Sequence, residues 1–205
     1  MNRSSEILQK TVPVLGLVCF LACGGGGGAS APATPAPPTP TPPVTKTVAD
    51  TLVYSNPTVG VYKLVRNESK SSAGHLVLDL IGPAGAVSGV GFYLTADQTK
   101  VAWSLVDAAD SEKVKSSAFS DALIKSQVGG GTLQAGVYQK GITAPVNATT
   151  GTVLASVALD LKNNVPISNP PSVSLTAGKA LMLNVPGEQP TTNGIVITVG
   201  TLSAN

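Results

Sequence analysis

Charged and aromatic side chains are scarce in this sequence of 205 residues: Asp, Glu, Lys and Arg make up 12% and aromatic residues 4%. Thirteen Lys and Arg against eleven Asp and Glu leave a formal net charge of +2. A nucleic-acid-binding protein needs a dense field of Lys and Arg to face the phosphates, so the composition excludes that class of partner. The low charged content also argues against an ordinary helical protein.

Histidine and cysteine, on which much metal and nucleophile chemistry depends, are almost absent. His75 is the single histidine and no Gly-x-Ser-x-Gly elbow occurs, so neither a Ser-His-Asp nor a Cys-His arrangement is indicated. One histidine also cannot supply a zinc site, which needs several His or Cys ligands. We therefore predict a protein without catalytic residues, a metal site or a cofactor, and we interpret His75 as an exposed residue at the start of a strand.

Calcium is the one metal that the sequence leaves open. Asp107, Asp110 and Glu112 lie within six residues, yet they lack the Asp-x-Asp-x-Asp-Gly spacing that wraps oxygen ligands around the ion. A solvated acidic loop, balanced in part by Lys113 and Lys115, is the preferred interpretation.

Residues 1–22 have the pattern of a secretion signal. Arg3 and Lys10 supply the positive start, and residues 11–22 form an apolar stretch that is shorter than the roughly 20 residues of a membrane-spanning helix. Cys19 lies in this stretch and would be removed with it, which leaves one cysteine and no disulfide in the mature chain.

The end of this signal resembles that of bacterial lipoproteins, in which a small residue precedes an invariant cysteine. Here Ala22 precedes Cys23, although Phe20 and Leu21 stand where the family usually has Leu and a small residue. The resemblance implies that Cys23 carries a diacylglycerol, and Gly24 after it implies the outer membrane, on its periplasmic or cell-surface side. Ordinary secretion with cleavage near Ala22 is the alternative.

Residues 23–47 are predicted to be a disordered stalk. Five consecutive glycines are followed by seven prolines between Pro32 and Pro43. Glycine runs are flexible and proline runs are extended, so this linker would hold a domain on the order of 40–60 Å from the bilayer.

Residues 48–205 predict one all-β domain, because apolar residues recur at every second position. The clearest rows are Leu76, Leu78, Leu80; Val90, Phe92, Leu94; Val101, Trp103, Leu105; Leu133, Ala135, Val137; Val153, Ala155, Val157, Leu159, Leu161; Leu181, Leu183, Val185; and Ile195, Ile197, Val199. Turn residues separate these rows, which gives about nine half-buried strands. Only residues 110–124 could hold a short helix, so the strands must bury one another in a two-sheet β-sandwich.

Part of this pattern resembles the cohesin domains. The resemblance lies in residues 89–97 with 101–103, an apolar strand that meets a loop near an Asp and returns, and in the later strands 131–137 and 151–159. It implies a jelly-roll sandwich, a fold that some carbohydrate-binding modules share, without a catalytic centre. Cohesins bind dockerin partners through one sheet face, but no contact residue can be aligned here and none is carried over.

Three functions follow from this combination: a non-catalytic module that binds a protein partner, dockerin-like or another envelope component; a carbohydrate-binding module for polysaccharide; or a structural spacer domain. Phe92 and Trp103 fall on apolar rows and are predicted to be core residues. Tyr93 and Tyr138 fall on the opposite rows. If one sheet carries both tyrosines, they would form a small ligand-binding platform.

Lipidation of Cys23 makes the first testable prediction. The change of Cys23 to Ser removes the acylated atom, so we expect the protein to leave the detergent phase after phase partitioning of cell membranes. Unchanged partitioning of the Cys23→Ser protein would show that the chain is not anchored through this residue.

Overall fold

The apolar rows form strands in the computed structural model, which describes residues 46–141, 144–185, 188–192 and 194–205. The predicted signal peptide, Cys23 and the stalk up to residue 45 lie outside these residues. Within them, no helix is long and apolar enough to cross a membrane.

Fifteen strands follow one another along the described chain. They are β1 Leu52–Ser55, β2 Tyr62–Arg66, β3 His75–Ile81, β4 Gly85–Val87, β5 Gly89–Ala96, β6 Val101–Ser104, β7 Val114–Lys115, β8 Ala122–Gly129, β9 Thr132–Gln139, β10 Val146–Ala148, β11 Val153–Leu161, β12 Ser172–Val173, β13 Leu175–Leu183, β14 Ile197–Thr198 and β15 Thr201–Ala204. Five of them have only two or three residues. Such strands contain too few alternating positions to be recognised in a sequence, so the sequence predicted only about nine.

Two main sheets make the sandwich. The four-stranded sheet has the order β13-β5-β9-β8, and the six-stranded sheet has the order β14-β2-β3-β11-β6, with β7 also paired to β11. The pair β14 and β2 is parallel, whereas the other pairs in both sheets are antiparallel. Two smaller sheets, β1-β15-β12 and β10-β4, complete the fold. The predicted two-sheet β-sandwich is confirmed.

The core lies between the sheets and is made of the inward rows. Leu76, Leu78 and Leu80 of β3 meet Phe92 of β5 and Leu133 of β9, and none of these side chains is more than 1% exposed. Removal of this apolar area from water is the main favourable contribution to folding.

Trp103 lies in the same core, as predicted, and only 6% of it is exposed. Its indole N–H donates a hydrogen bond of 2.8 Å to the carbonyl oxygen of Gly131, which satisfies the one polar atom of a buried ring.

Residues 110–124 contain no helix, so this prediction was wrong. The segment instead includes β7, which pairs with β11, and the start of β8, which pairs with β9. The side chain of Glu112 accepts hydrogen bonds from the backbone N–H and hydroxyl of Ser126. These contacts tie the segment to the strand edge, and strand pairing therefore decides its structure.

In the second half of β13, the side chains that face the core are not those of the predicted row. The register with β5 shifts between Ala177 and Ala180, and the bulge places Ala180 and Met182 in the core. A one-residue shift sends every later side chain to the other face of a sheet. Leu181 and Leu183 consequently lie on the outer face.

Leu78 is fully buried between the sheets, so its truncation makes a stability prediction. We expect Leu78→Ala to lower the free energy of unfolding by about 2–5 kcal/mol, because it leaves a cavity in a packed core. Denaturant unfolding of the full chain measures this. Val59→Ala removes a side chain that is 72% exposed and serves as the control; equal losses in both variants would contradict the described core.

Candidate binding face

The outer face of the six-stranded sheet is covered by the chain itself. The loop of residues 105–113 lies on this face, where Val106 packs against Val77 of β3 and Ala158 of β11 in a second small apolar cluster. All three residues are at most 3% exposed. This loop therefore removes the middle of the sheet from contact with a partner.

A second loop, residues 67–74, is fixed to the same face by a buried carboxylate. Asp79 of β3 is 7% exposed, and it accepts hydrogen bonds from the Asn67 amide at 2.9 Å and from the Ser156 hydroxyl at 2.6 Å. A buried carboxylate is costly unless it is hydrogen-bonded, so these bonds hold the loop in place.

Ion pairs join the two covering loops. Lys115 lies 2.6 Å from Asp107 and 2.9 Å from Asp110, and Lys70 lies 3.0 Å from Asp107. Lys115, and then Lys70, hold the pKa of Asp107 below its ordinary value. Asp107 and Asp110 are therefore paired with lysines, and the described residues contain no group of three or more His, Cys, Asp and Glu that could hold a metal ion.

His75 begins β3, as the sequence predicted, but its side chain is half-buried and not exposed. Its Nδ1 atom lies 2.5 Å from Oδ1 of Asp160 on the neighbouring strand β11. The carboxylate fixes the ring at the end of the sheet, which is a structural role.

The outer face of the four-stranded sheet, called the binding face below, carries exposed side chains on all four strands. The pairing register arranges it in four rows across β13, β5, β9 and β8: Leu183, Gly89, Tyr138, Leu123; Leu181, Gly91, Gly136, Lys125; Gly178, Tyr93, Gln134, Gln127; and Thr176, Thr95, Thr132, Gly129. Apart from Lys125, the first two rows are apolar or small, and the last two rows are uncharged and mostly polar. The binding face therefore changes from apolar to hydrogen-bonding along the strands.

Tyr138 lies flat on this face. A Cβ atom on Gly89 would lie 2.3 Å from its Cδ1, one on Gly91 2.6 Å from its hydroxyl oxygen, and one on Gly136 2.8 Å from its Cε2. Because both ring edges and the tip each rest on a different glycine, the ring plane is parallel to the sheet. Glycine is disfavoured inside strands, and its presence there often marks a close approach.

Tyr93 stands on β5 beside Gly91, 39% exposed, and opposite Gln134 of β9. The structure thus brings the two predicted platform residues together on one face of one sheet. Burial raises the pKa of the Tyr138 phenol above its ordinary value of 10.0, and the neighbouring Tyr93 raises this pKa further. Their role in ligand binding stays a prediction.

A cleft of about 360 Å³ lies beside the Tyr138 ring. Lys125, Gln127 and Gln134 line it together with Gly136. The cleft therefore combines an aromatic surface with amide groups that both donate and accept hydrogen bonds.

Sequence reasoning missed half of this face, since it identified neither β8 nor the outward side of β13. The available signal was the glycine run at residues 129–131. Gly130 and Gly131 have φ of 57° and 81°, which fits a two-residue hairpin turn between strands of equal length. Counting back from it would have placed Leu123, Lys125 and Gln127 on the face of Tyr138.

Comparison with solved structures finds cohesin domains. A type II cohesin dyad from the adaptor ScaA scaffoldin of Acetivibrio cellulolyticus is 11% identical, with 69% of this chain and 47% of that chain covered and a TM-score of 0.50. The sixth cohesin of scaffoldin B from the same bacterium, in complex with a mutant dockerin, is 17% identical, with 69% and 97% covered and a TM-score of 0.47. A cohesin module of a Clostridium perfringens family 33 glycoside hydrolase is 15% identical, with 75% and 98% covered and a TM-score of 0.38.

No family model and no curated protein matches the sequence. The domain is a cohesin-like β-sandwich: at 0.50 and 11% identity, the likeness to the type II cohesin dyad shows a common fold. What such a fold does depends on its surface.

The glycines beneath Tyr138 make a prediction about its ionisation. In Gly136→Ala the added methyl group meets the ring, so we expect the ring to move into solvent and the pKa of Tyr138 to fall towards 10.0, because burial is the main cause of its elevation. Titration of tyrosine ring carbons by NMR measures this. Gly129→Ala adds a methyl group with no atom within 4 Å and is the control; an unchanged pKa in Gly136→Ala would contradict the flat ring.

Proposed function

We propose that this protein is a non-catalytic binding module, anchored at the bacterial cell envelope, that engages a protein partner through the binding face. The observation that supports this most is the difference between its two outer faces. Loops held by a buried carboxylate and by ion pairs cover one of them, whereas all four strands of the other present exposed side chains.

The dimensions of the binding face suit a protein partner. Four strands about 4.8 Å apart and eight residues long, at about 3.3 Å per residue, give an area of roughly 19 by 26 Å, or about 500 Å² in projection. A standard interface buries about 800 Å² on each partner. The face with its margins therefore approaches what a specific complex needs.

The class of fold indicates what kind of partner to expect. Cohesin resemblance in the sequence implies a partner bound through one sheet face, and the cohesin-like fold supports that expectation. The partner is a dockerin-like module or another component of the envelope. The face is already assembled from paired strands, so binding requires little ordering of this chain.

The anchoring part of the proposal rests on the sequence. The signal-like residues 1–22, Cys23 and the glycine- and proline-rich stalk together fit a lipoprotein of the outer membrane. Two acyl chains on Cys23 would give durable attachment, and the stalk would let the module reach beyond the lipid headgroups.

Polysaccharide is the second candidate ligand, and the Tyr138 ring supports it. A ring that lies parallel to the sheet offers a flat apolar surface, and the adjacent cleft holds Gln127 and Gln134. Sugars present both a flat C–H face and hydroxyl groups, so they could use both features. Protein binding stays the first candidate because the apolar rows extend beyond the ring to Leu123, Leu181 and Leu183.

Leu123→Asp tests the proposed face. Leu123 is 48% exposed at the apolar end of the face, so we expect the aspartate to abolish capture of the partner without unfolding the domain, because the bound partner would desolvate an unpaired charge. The measurement is affinity capture from solubilised cell envelope with the full chain as bait, followed by mass spectrometry of the retained protein.

Val61→Asp is the matched control, since Val61 is 64% exposed but lies just before β2, away from the four-stranded sheet. The same protein must be retained by the unmodified chain and by Val61→Asp. Equal capture by Leu123→Asp would refute the binding face. Retardation of the chain in gels that contain polysaccharide would then favour the second candidate, and a chain with neither behaviour would be a structural spacer.

A further inference from the structure

The binding face carries positive charge and no negative charge. The four strands β5, β8, β9 and β13 contain two charged residues, Lys125 and Lys179, and no Asp or Glu. By contrast, β3 and β11 of the other sheet contain Asp79 and Asp160. The strands of that sheet carry both signs, since Lys63 and Arg66 of β2 and Lys115 of β7 stand beside these two acids. Strands without an acidic residue are therefore a property of the four-stranded sheet.

The two lysines mark opposite margins of the face. Lys125 belongs to β8 and Lys179 to the bulge of β13, and these are the two edge strands of the sheet. Three strand spacings of about 4.8 Å separate these edges, or about 14 Å. Between the margins lie Gly91 and Gly136 under the Tyr138 ring, so the centre is flat and apolar.

Both ammonium groups are open to a partner. Lys125 is 77% exposed on its side chain, and its contact with Glu112 is a single one of 3.3 Å, a type of surface pair that contributes little. Glu112 itself is directed to the backbone N–H and hydroxyl of Ser126, at 2.8 and 2.7 Å. Lys179 is exposed and takes part in no ion pair among the described residues.

We infer that the partner presents an acidic protein segment: an apolar strip that packs on Tyr138 and Leu181, with carboxylates on its two sides that face Lys125 and Lys179 at the two edge strands. This inference rests on the proposed function and adds the chemistry of the partner to it. Opposed charges of this kind set the orientation of the segment across the strands and exclude basic competitors.

Random peptides displayed on phage provide the probe. They are first depleted on the immobilised Leu123→Asp chain and then selected on the immobilised unmodified full chain, so that only ligands of the binding face remain. We expect the enriched peptides to be acidic, with apolar residues between the acids. A synthetic copy should bind the Lys125→Glu, Lys179→Glu double variant on the order of tenfold more weakly, and added salt should weaken its binding to the unmodified chain.

Lys63→Glu reverses one charge in the same way on β2 of the six-stranded sheet and should leave the affinity unchanged. Enriched peptides that are neutral or basic, or an affinity unaffected by the double variant, would overturn the inference while the binding face stands. The inference would also be overturned if no peptide is enriched and an anionic polysaccharide retards the unmodified chain but not the double variant. The ligand would then be the polysaccharide and not a protein segment. These outcomes differ from a failure of the proposed function itself. In that case the Leu123→Asp chain would capture the envelope partner as well as the unmodified chain does.

Discussion

Burial of every second side chain between two sheets is the constraint on which the rest of this molecule depends. With few charges, and with no helix among the described residues to cover a sheet, the apolar row of β3 must face those of β5 and β9. The same alternation sends the intervening residues outward. The composition of the outer faces is therefore set by the positions that the core does not use, and each face can be adapted independently of folding.

The two outer faces were adapted in opposite ways. On the six-stranded sheet, small apolar residues and Asp79 attach two loops, and the face becomes part of the structure. On the four-stranded sheet, glycines occupy positions where other residues would project a side chain, and the Tyr138 ring packs flat against these glycines. Covering a face with loops stabilises the fold, whereas a flat, exposed face with apolar residues is suitable for association with a partner.

Much of this could be predicted from the sequence, for an identifiable reason. A period of two depends only on local alternation, so the sandwich, the buried Phe92 and Trp103 and the outward Tyr93 and Tyr138 all follow from it. The acidic loop was interpreted as solvated, whereas Asp110 and Glu112 are half-buried and bonded to Lys115 and Ser126. What failed was non-local: β8 is recognised as a strand only through its pairing with β9, and one extra residue in β13 reversed the rows that contain Leu181.

The edge position of β8 has a consequence for how such a domain changes over time. Leu123, Lys125 and Gln127 point away from the core on a strand that has one neighbour in its sheet, so they are open to substitution at little cost in folding free energy. The glycines under Tyr138 are not. Duplicated copies of the domain can therefore diverge in what they recognise by drift along a single strand, while the scaffold that presents it is inherited intact.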